Sequence, residues 1–229
     1  MASDGTGQVP RIINDFPQEL LRLVLDQVKQ NSLIDGDGNF LNALTTCRLW
    51  YRIGEELLWT DVSLDDCQLE KFVRTSHTGV VWTRSLTIKL SPLYYVHRRP
   101  ACYWVAEKSA MLATFRSLIA WKALRVLPQI INTMGRLESF SFAVSAYYKV
   151  GAMDDFFLVR DDLQTILKSL PNSVGHLELD TFCYDREGGS DPEKGHLCHT
   201  LREMIPRLLN LRLRLASLCP KLIPSNNPS

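Results

Sequence analysis

Few residues in this chain are suited to chemistry, and their spacing decides what each group can do. His196, Cys198 and His199 crowd one stretch with Cys183 upstream, and imidazole and thiolate are natural zinc ligands. A zinc finger needs paired ligands about two to four residues apart on each side, a pattern this stretch lacks, so a helix with incidental His and Cys is expected. The run DGDGN, from Asp35, opens like a calcium loop, but Phe40 and Thr46 stand where such a loop needs glycine and glutamate. A polar turn is left. The acid pairs Asp65-Asp66, Asp154-Asp155 and Asp161-Asp162 read as helix-entry residues, since carboxylates accept hydrogen bonds from the free N–H groups there. No GxGxxG, GxxxxGK[ST], GxSxG or HExxH occurs. No catalytic residue, metal ligand or cofactor is assigned, and the chain is not expected to be an enzyme. His97, Arg98 and Arg99 beside Tyr94, Tyr95 and Tyr103 have the chemistry to stack bases, yet an exposed loop is the simpler reading.

Composition sets the frame for these residues. The chain has 229 residues, 45% hydrophobic and 22% charged, enough to bury a core in one large or two small domains. Its net charge of +1 provides no global field for nucleic acid or an anionic membrane, and neither is expected as a partner. The opening MASDGTGQVP lacks the basic flank and apolar run of a signal peptide, and Arg116 and Lys122 interrupt the most apolar stretch. Six cysteines (47, 67, 102, 183, 198, 219) contain no CxxC pair and read as reduced thiols. A cytoplasmic or nuclear location is expected, with disordered ends at residues 1–14 and 219–229.

The elements that position side chains fall into two patterns. In FPQELLRLVL, from Phe16, Pro17 suits a first helical position and Glu19 a first turn. Leu20, Leu21, Val24, Leu25 and Val28 recur at helical spacing, while Leu23 lies off that stripe, so the apolar arc is wider than one core contact needs. This helix is expected to end near Val28, with NSLIDGDGN supplying a long connection up to Asn39. Phe40, Leu44, Cys47 and Tyr51 then follow one helical face, and a break between two short helices near Cys47 is equally allowed.

From Trp59 the pattern changes to five runs whose alternate residues are apolar, as half-buried strands require: Trp59-Val62-Leu64, Leu86-Ile88-Leu90, Leu137-Phe140-Phe142, Val174-Leu177-Leu179 and Leu208-Leu211-Leu213. Helical patterns lie between them at 69–73, 110–127, 163–170 and 197–205. Three runs start at Leu137, Val174 and Leu208, spacings of 37 and 34 residues, with Pro171 and Pro206 before the last two. Trp59 to Thr83 is 24 residues and Thr83 to Leu137 is 54, the long step reflecting an insertion over about 91–109. Units that cannot bury their own apolar face must stack, which is the logic of a solenoid. An α/β layer fold with parallel strands alternates the same elements.

The N-terminal residues Phe16-Pro17, Glu19-Leu20-Leu21 and Val24-Leu25, then Leu41, Leu44, Cys47-Arg48, Trp50 and Leu57-Leu58-Trp59, together resemble the F-box. In that family the helices pack into the SCF adaptor subunit that links F-box proteins to a cullin, which would explain the apolar excess. The resemblance implies an F-box over 15–60, and the downstream repeats over 61–218 look like the irregular leucine-rich repeats of fungal F-box proteins, together an α+β chain. The implied function is substrate recognition for a cullin-RING ubiquitin ligase, with an unknown protein substrate. A repeat scaffold for a non-ligase assembly is the alternative. Phe16, Pro17, Leu20, Leu21, Val24, Leu25, Leu44, Cys47, Arg48 and Trp50 are the expected adaptor-binding residues.

Strand alternation supplies a second expected surface. The residues between the inward apolar positions should point outward together: Asp61, Ser63, Thr87, Lys89, Ser139, Ser141, His176, Glu178, Asp180, Arg212 and Arg214. They are the candidate substrate-binding residues. Near the C-terminus, LCPKL resembles the opening of one more repeat, and an unfinished unit is expected to leave Leu218 and Leu222 open, through a shortened product or a partner that completes it.

Overall fold

Helix α1 (Gln18–Asp35) begins directly behind Pro17, whose carbonyl accepts from the Leu21 N–H at 3.1 Å. The computed structural model describes residues 17–75, 78–90, 120, 122–144, 160–181, 197–215 and 222. The expected ends at 1–14 and 219–221 and 223–229, Phe16, the insertion over 91–109, Asp154-Asp155, Cys183, His196 and Leu218 lie outside the described residues. The chain divides after Thr60 into two units.

In the first unit, α1 runs seven residues beyond the expected end at Val28. The reason is local: the left-handed residue that stops it, Gly36 at φ +67°, comes only there, and its N–H closes the helix on the Ser32 carbonyl at 3.0 Å. The DGDGN run is a cap at both ends of a short turn. Asp37 Oδ1 accepts from Ser32 Oγ at 2.9 Å and from the Asn39 N–H at 3.0 Å, while Ser32 Oγ accepts from the Phe40 N–H at 2.9 Å. Helices α2 (Asn39–Leu44) and α3 (Arg48–Thr60) follow, broken near Cys47. Phe40 and Leu44 are buried but Tyr51 is exposed, so those residues do not share one face. Trp59, expected in the first strand, lies in the last turn of α3 instead.

The core of this unit is Leu21, Leu25, Phe40, Leu44 and Leu57, flanked by Val28, Ala43, Leu49, Trp50 and Ile53. Gly54 on α3 is buried against α2: a Cβ built there would stand 1.9 Å from Leu44 Cδ2. Buried Lys29 donates from Nζ to the Leu57 carbonyl at 2.7 Å, at the end of α3 where helix carbonyls lack intrahelical partners and the dipole favours a cation.

The second unit contains β1 (Asp61–Leu64), α4 (Asp66–Arg74), β2 (Ser85–Leu90), α5 (Leu127–Ile131), β3 (Ser139–Val144), α6 (Arg160–Ser169), β4 (His176–Asp180), α7 (Leu197–Met204) and β5 (Asn210–Arg214). Among the described residues the strands form one parallel sheet in the order β1-β2-β3-β4-β5. The order never reverses, and with the right-handed sense that parallel crossovers follow, the described connecting helices fall on one face. That face carries the apolar rows: Val62, Leu86, Phe140, Leu177 and Leu211 stand in register, as do Leu64, Ile88, Phe142, Leu179 and Leu213. Buried Leu69 and Phe72 of α4, Leu127 and Ile131 of α5, Leu163 and Ile166 of α6, and Leu201 and Met204 of α7 come from the helical layer.

Before each of the last four strands the backbone makes the same turn. The N–H of Thr83, Leu137, Val174 and Leu208 donates to the carbonyl three residues earlier, of Val80, Met134, Pro171 and Ile205, at 3.1, 3.0, 3.1 and 3.1 Å. Neighbouring turns are then bridged. The Arg84 carbonyl accepts from Glu138 and Ser139 N–H, the Glu138 carbonyl from Gly175 and His176 N–H, and the Gly175 carbonyl from Leu209 and Asn210 N–H. At the first pair of turns the side chains one residue ahead of the turn's end also meet: Arg136 lies 4.4 Å from the centroid of the Trp82 ring, a cation–π contact. Leu222 is buried, against the expectation that it would be open.

Two stability tests follow from the packing. Gly54→Ala raises intrinsic helix propensity by about 1 kcal/mol, but forcing a methyl against buried Leu44 costs about 1–3 kcal/mol. A lower melting temperature is the expected net result in thermal unfolding followed by circular dichroism. Thr83 is buried where the equivalent turns carry Leu or Val, and among the described residues its Oγ1 has no hydrogen-bond partner. Thr83→Val removes that desolvated hydroxyl at nearly constant shape and is expected to stabilise the chain by about 1 kcal/mol, read as a higher urea midpoint.

Candidate docking surfaces

The ten residues expected to bind an adaptor separate by burial. Leu21, Leu25 and Leu44 are core residues, a correction to their placement on the docking surface: they fill the space between the three helices and reach no partner while the unit stays folded. Cys47 and Trp50 are half-buried, and Trp50 packs on the core with its Nε1 buried and without a hydrogen-bond partner among the described residues. Pro17, Leu20, Val24 and Arg48 are exposed, Leu20 at 48% and Val24 at 46%.

The exposed strip is wider than the sequence reading assigned. Leu23 is 66% exposed, and Ile34 also stands in solvent. At 100° per residue, Pro17, Leu20, Leu23, Val24 and Ile34 lie along one flank of α1, beside the stripe that enters the core. Leu23 could have been found from its off-stripe position. Leu33, Leu41, Tyr51 and Leu58 are exposed too. Fully burying one such side chain contributes about 1.5–3 kcal/mol, whereas the Arg22–Glu56 ion pair between α1 and α3, at 2.9 Å with a half-exposed arginine, contributes about 0–1 kcal/mol.

In the second unit the eleven candidate substrate-binding residues stand together on the face opposite the apolar rows. Register places Asp61, Ser139 and His176 in one row, Ser63, Thr87, Ser141, Glu178 and Arg212 in the next, and Lys89, Asp180 and Arg214 in a third. Ser85 and Asn210 belong to the first row by the same alternation. The chemistry of the face changes from edge to edge. Hydroxyls dominate β1 to β3, whereas β4 and β5 carry cross-strand polar pairs. Ser141 Oγ donates to Glu178 Oε2 at 3.1 Å, Arg212 Nη1 meets Glu178 Oε1 at 2.9 Å, Arg214 Nη1 meets Asp180 Oδ2 at 3.5 Å, and Asn210 Nδ2 lies 2.8 Å from His176 Nδ1.

The other chemistry-bearing residues have structural partners. Asp65 caps α4, its Oδ1 accepting from the Gln68 N–H at 2.8 Å while Gln68 Oε1 accepts from the Asp65 N–H at 3.0 Å. Asp161 and Asp162 stand in the first turn of α6, with Asp162 3.5 Å from Arg125. His199 pairs with Glu203 on exposed α7 positions at 3.3 Å. Among the described residues no helix is long and apolar enough to cross a membrane.

Core and strip on α1 differ by one residue position, so adjacent leucines should behave oppositely. Leu21→Ala and Leu25→Ala are each expected to cost about 2–5 kcal/mol and to melt the helical unit, seen as lost ellipticity at 222 nm. Leu20→Ala and Val24→Ala should leave both ellipticity and melting temperature within experimental scatter.

No protein-family model matches this chain, and no curated protein matches it at a significant level.

Proposed function

We propose that this chain is a substrate receptor of a cullin-RING ubiquitin ligase. Its helical unit docks the adaptor subunit, and its α/β unit, read as a short repeat array, holds a protein substrate on the polar sheet face. The observation that carries the reading is the apolar strip of Leu20, Leu23 and Val24 on a helix whose other face already closes a complete core. Such a strip is stable in water only at a hydrophobic cost, and burial against a partner removes it. The F-box resemblance names the partner. Bridged identical turns and unreversed strand order support the repeat array. The proposed mechanism is proximity: the receptor raises the effective concentration of substrate near a ubiquitin-charged enzyme and performs no bond chemistry itself.

The test is a two-component binding assay between the purified chain and the adaptor. Wild type should bind, and Leu20→Ala with Val24→Ala should weaken binding by roughly tenfold or more, since each 1.4 kcal/mol lost is about a factor of ten, with the helical signal intact. Absence of wild-type binding refutes the assignment. Adaptor binding without capture of a cullin would instead favour a non-ligase scaffold.

A further inference from the structure

The end of the sheet differs from its middle. Among the described residues β5 is the last strand, and its inward row is incompletely covered. Leu211 is exposed and Leu213 half-buried, whereas their register partners Leu177 and Leu179 on β4 are buried. Leu209, just ahead of β5, is 78% exposed. On the opposite face the side chains of Arg212 and Arg214 are also largely in solvent, Arg212 at 80%. An end strand directs one row of backbone N–H and C=O groups away from its neighbour, ready to pair with another strand.

The neighbour that β5 already has shows which strand suits it. On β4, HLELD sets Leu177 and Leu179 beside Leu211 and Leu213, and Glu178 and Asp180 beside Arg212 and Arg214. Arg212 engages Glu178 through Nη1, and a guanidinium carries five N–H donors, so at its exposure further donors remain for a carboxylate on the other side. A second copy of β5 is a poor occupant. Antiparallel self-pairing would set Asn210, Arg212 and Arg214 against one another, and like charges directly opposite are destabilising.

We infer that the outer edge of β5 docks an extended peptide strand in which acidic and apolar residues alternate. Main-chain pairing would supply affinity, the leucines would gain cover from the apolar residues, and the arginines would select carboxylates, as in strand-addition recognition. This site uses no residue of the helical unit and so stands apart from the adaptor reading, while it shares Arg212 and Arg214 with the proposed substrate face.

The probe is a labelled synthetic peptide copying Val174–Thr181, VGHLELDT, titrated with the intact chain in fluorescence anisotropy. Saturable binding is expected, weakened by added salt, with new amide-exchange protection in 210–214. A chain carrying Arg212→Gln and Arg214→Gln, verified as folded by circular dichroism, should bind at least tenfold more weakly. A peptide carrying Glu178→Lys and Asp180→Lys should not bind wild type, a control that leaves the protein untouched. The inference is overturned by no binding up to about 1 mM peptide, by equal binding to the folded glutamine variant, or by protection appearing elsewhere. It is likewise overturned if the chain dimerises through this edge, seen as self-association that Leu211→Lys abolishes.

Discussion

The α/β unit depends on one constraint: a strand with a two-residue period has a single apolar side, and burying that side requires in-register neighbours and a helical layer at once. Phe140 and Phe142 are fully buried because Leu86 and Ile88 flank them on one strand and Leu177 and Leu179 on the next. Register is therefore set by packing. A slip of one residue would turn Ser139, Ser141 and Glu178 into the core. The bridged turns hold the same register at the strand entries, where each carbonyl accepts two N–H groups from the following unit.

The same constraint explains why the two edges of the polar face are chemically different. In β1 to β3, hydroxyl side chains stand opposite apolar residues that are themselves well packed. At β5 no further described strand supplies the next row, and apolar burial falls. There the ion pairs of Glu178 with Arg212 and Asp180 with Arg214 tie the end strand to β4 from the other face. Exposed pairs contribute little individually, so backbone hydrogen bonds and the partly covered leucines carry most of the attachment.

The helical unit solves a harder problem, since about 43 residues of helix and turn must close a core with few side chains. Gly54 permits α3 to approach Leu44, and Lys29 lends its aliphatic stem to the interior while its ammonium satisfies the end of α3. Among the described residues the core closes on one side of α1, and Leu20 and Leu23 on its flank stay outside that cluster.

Sequence alone determined the parts governed by neighbours along the chain: the four later strands, the outward set from Asp61 to Arg214, the acidic helix entries and the repeat of turn and strand. These follow from periods of two and 3.6 residues and from the backbone preferences of Pro, Asp and Gly. The length of α1 was in principle legible, because Gly36 is the residue that can end it, but Asn31 and Ser32 gave an earlier polar signal: Ser32 serves the cap, while Asn31 accepts from Gln27 within the helix. Tertiary structure decided the rest. Leu20 and Leu21 are chemically identical and adjacent, and only the position of α2 and α3 puts one in solvent and the other in the core. Lys29 is buried because a carbonyl 28 residues away needs a donor, and the leucines of β5 are only partly covered because, among the described residues, strand order leaves them last. Such facts depend on which surfaces meet in space, and a one-dimensional pattern records only which surfaces are available to meet.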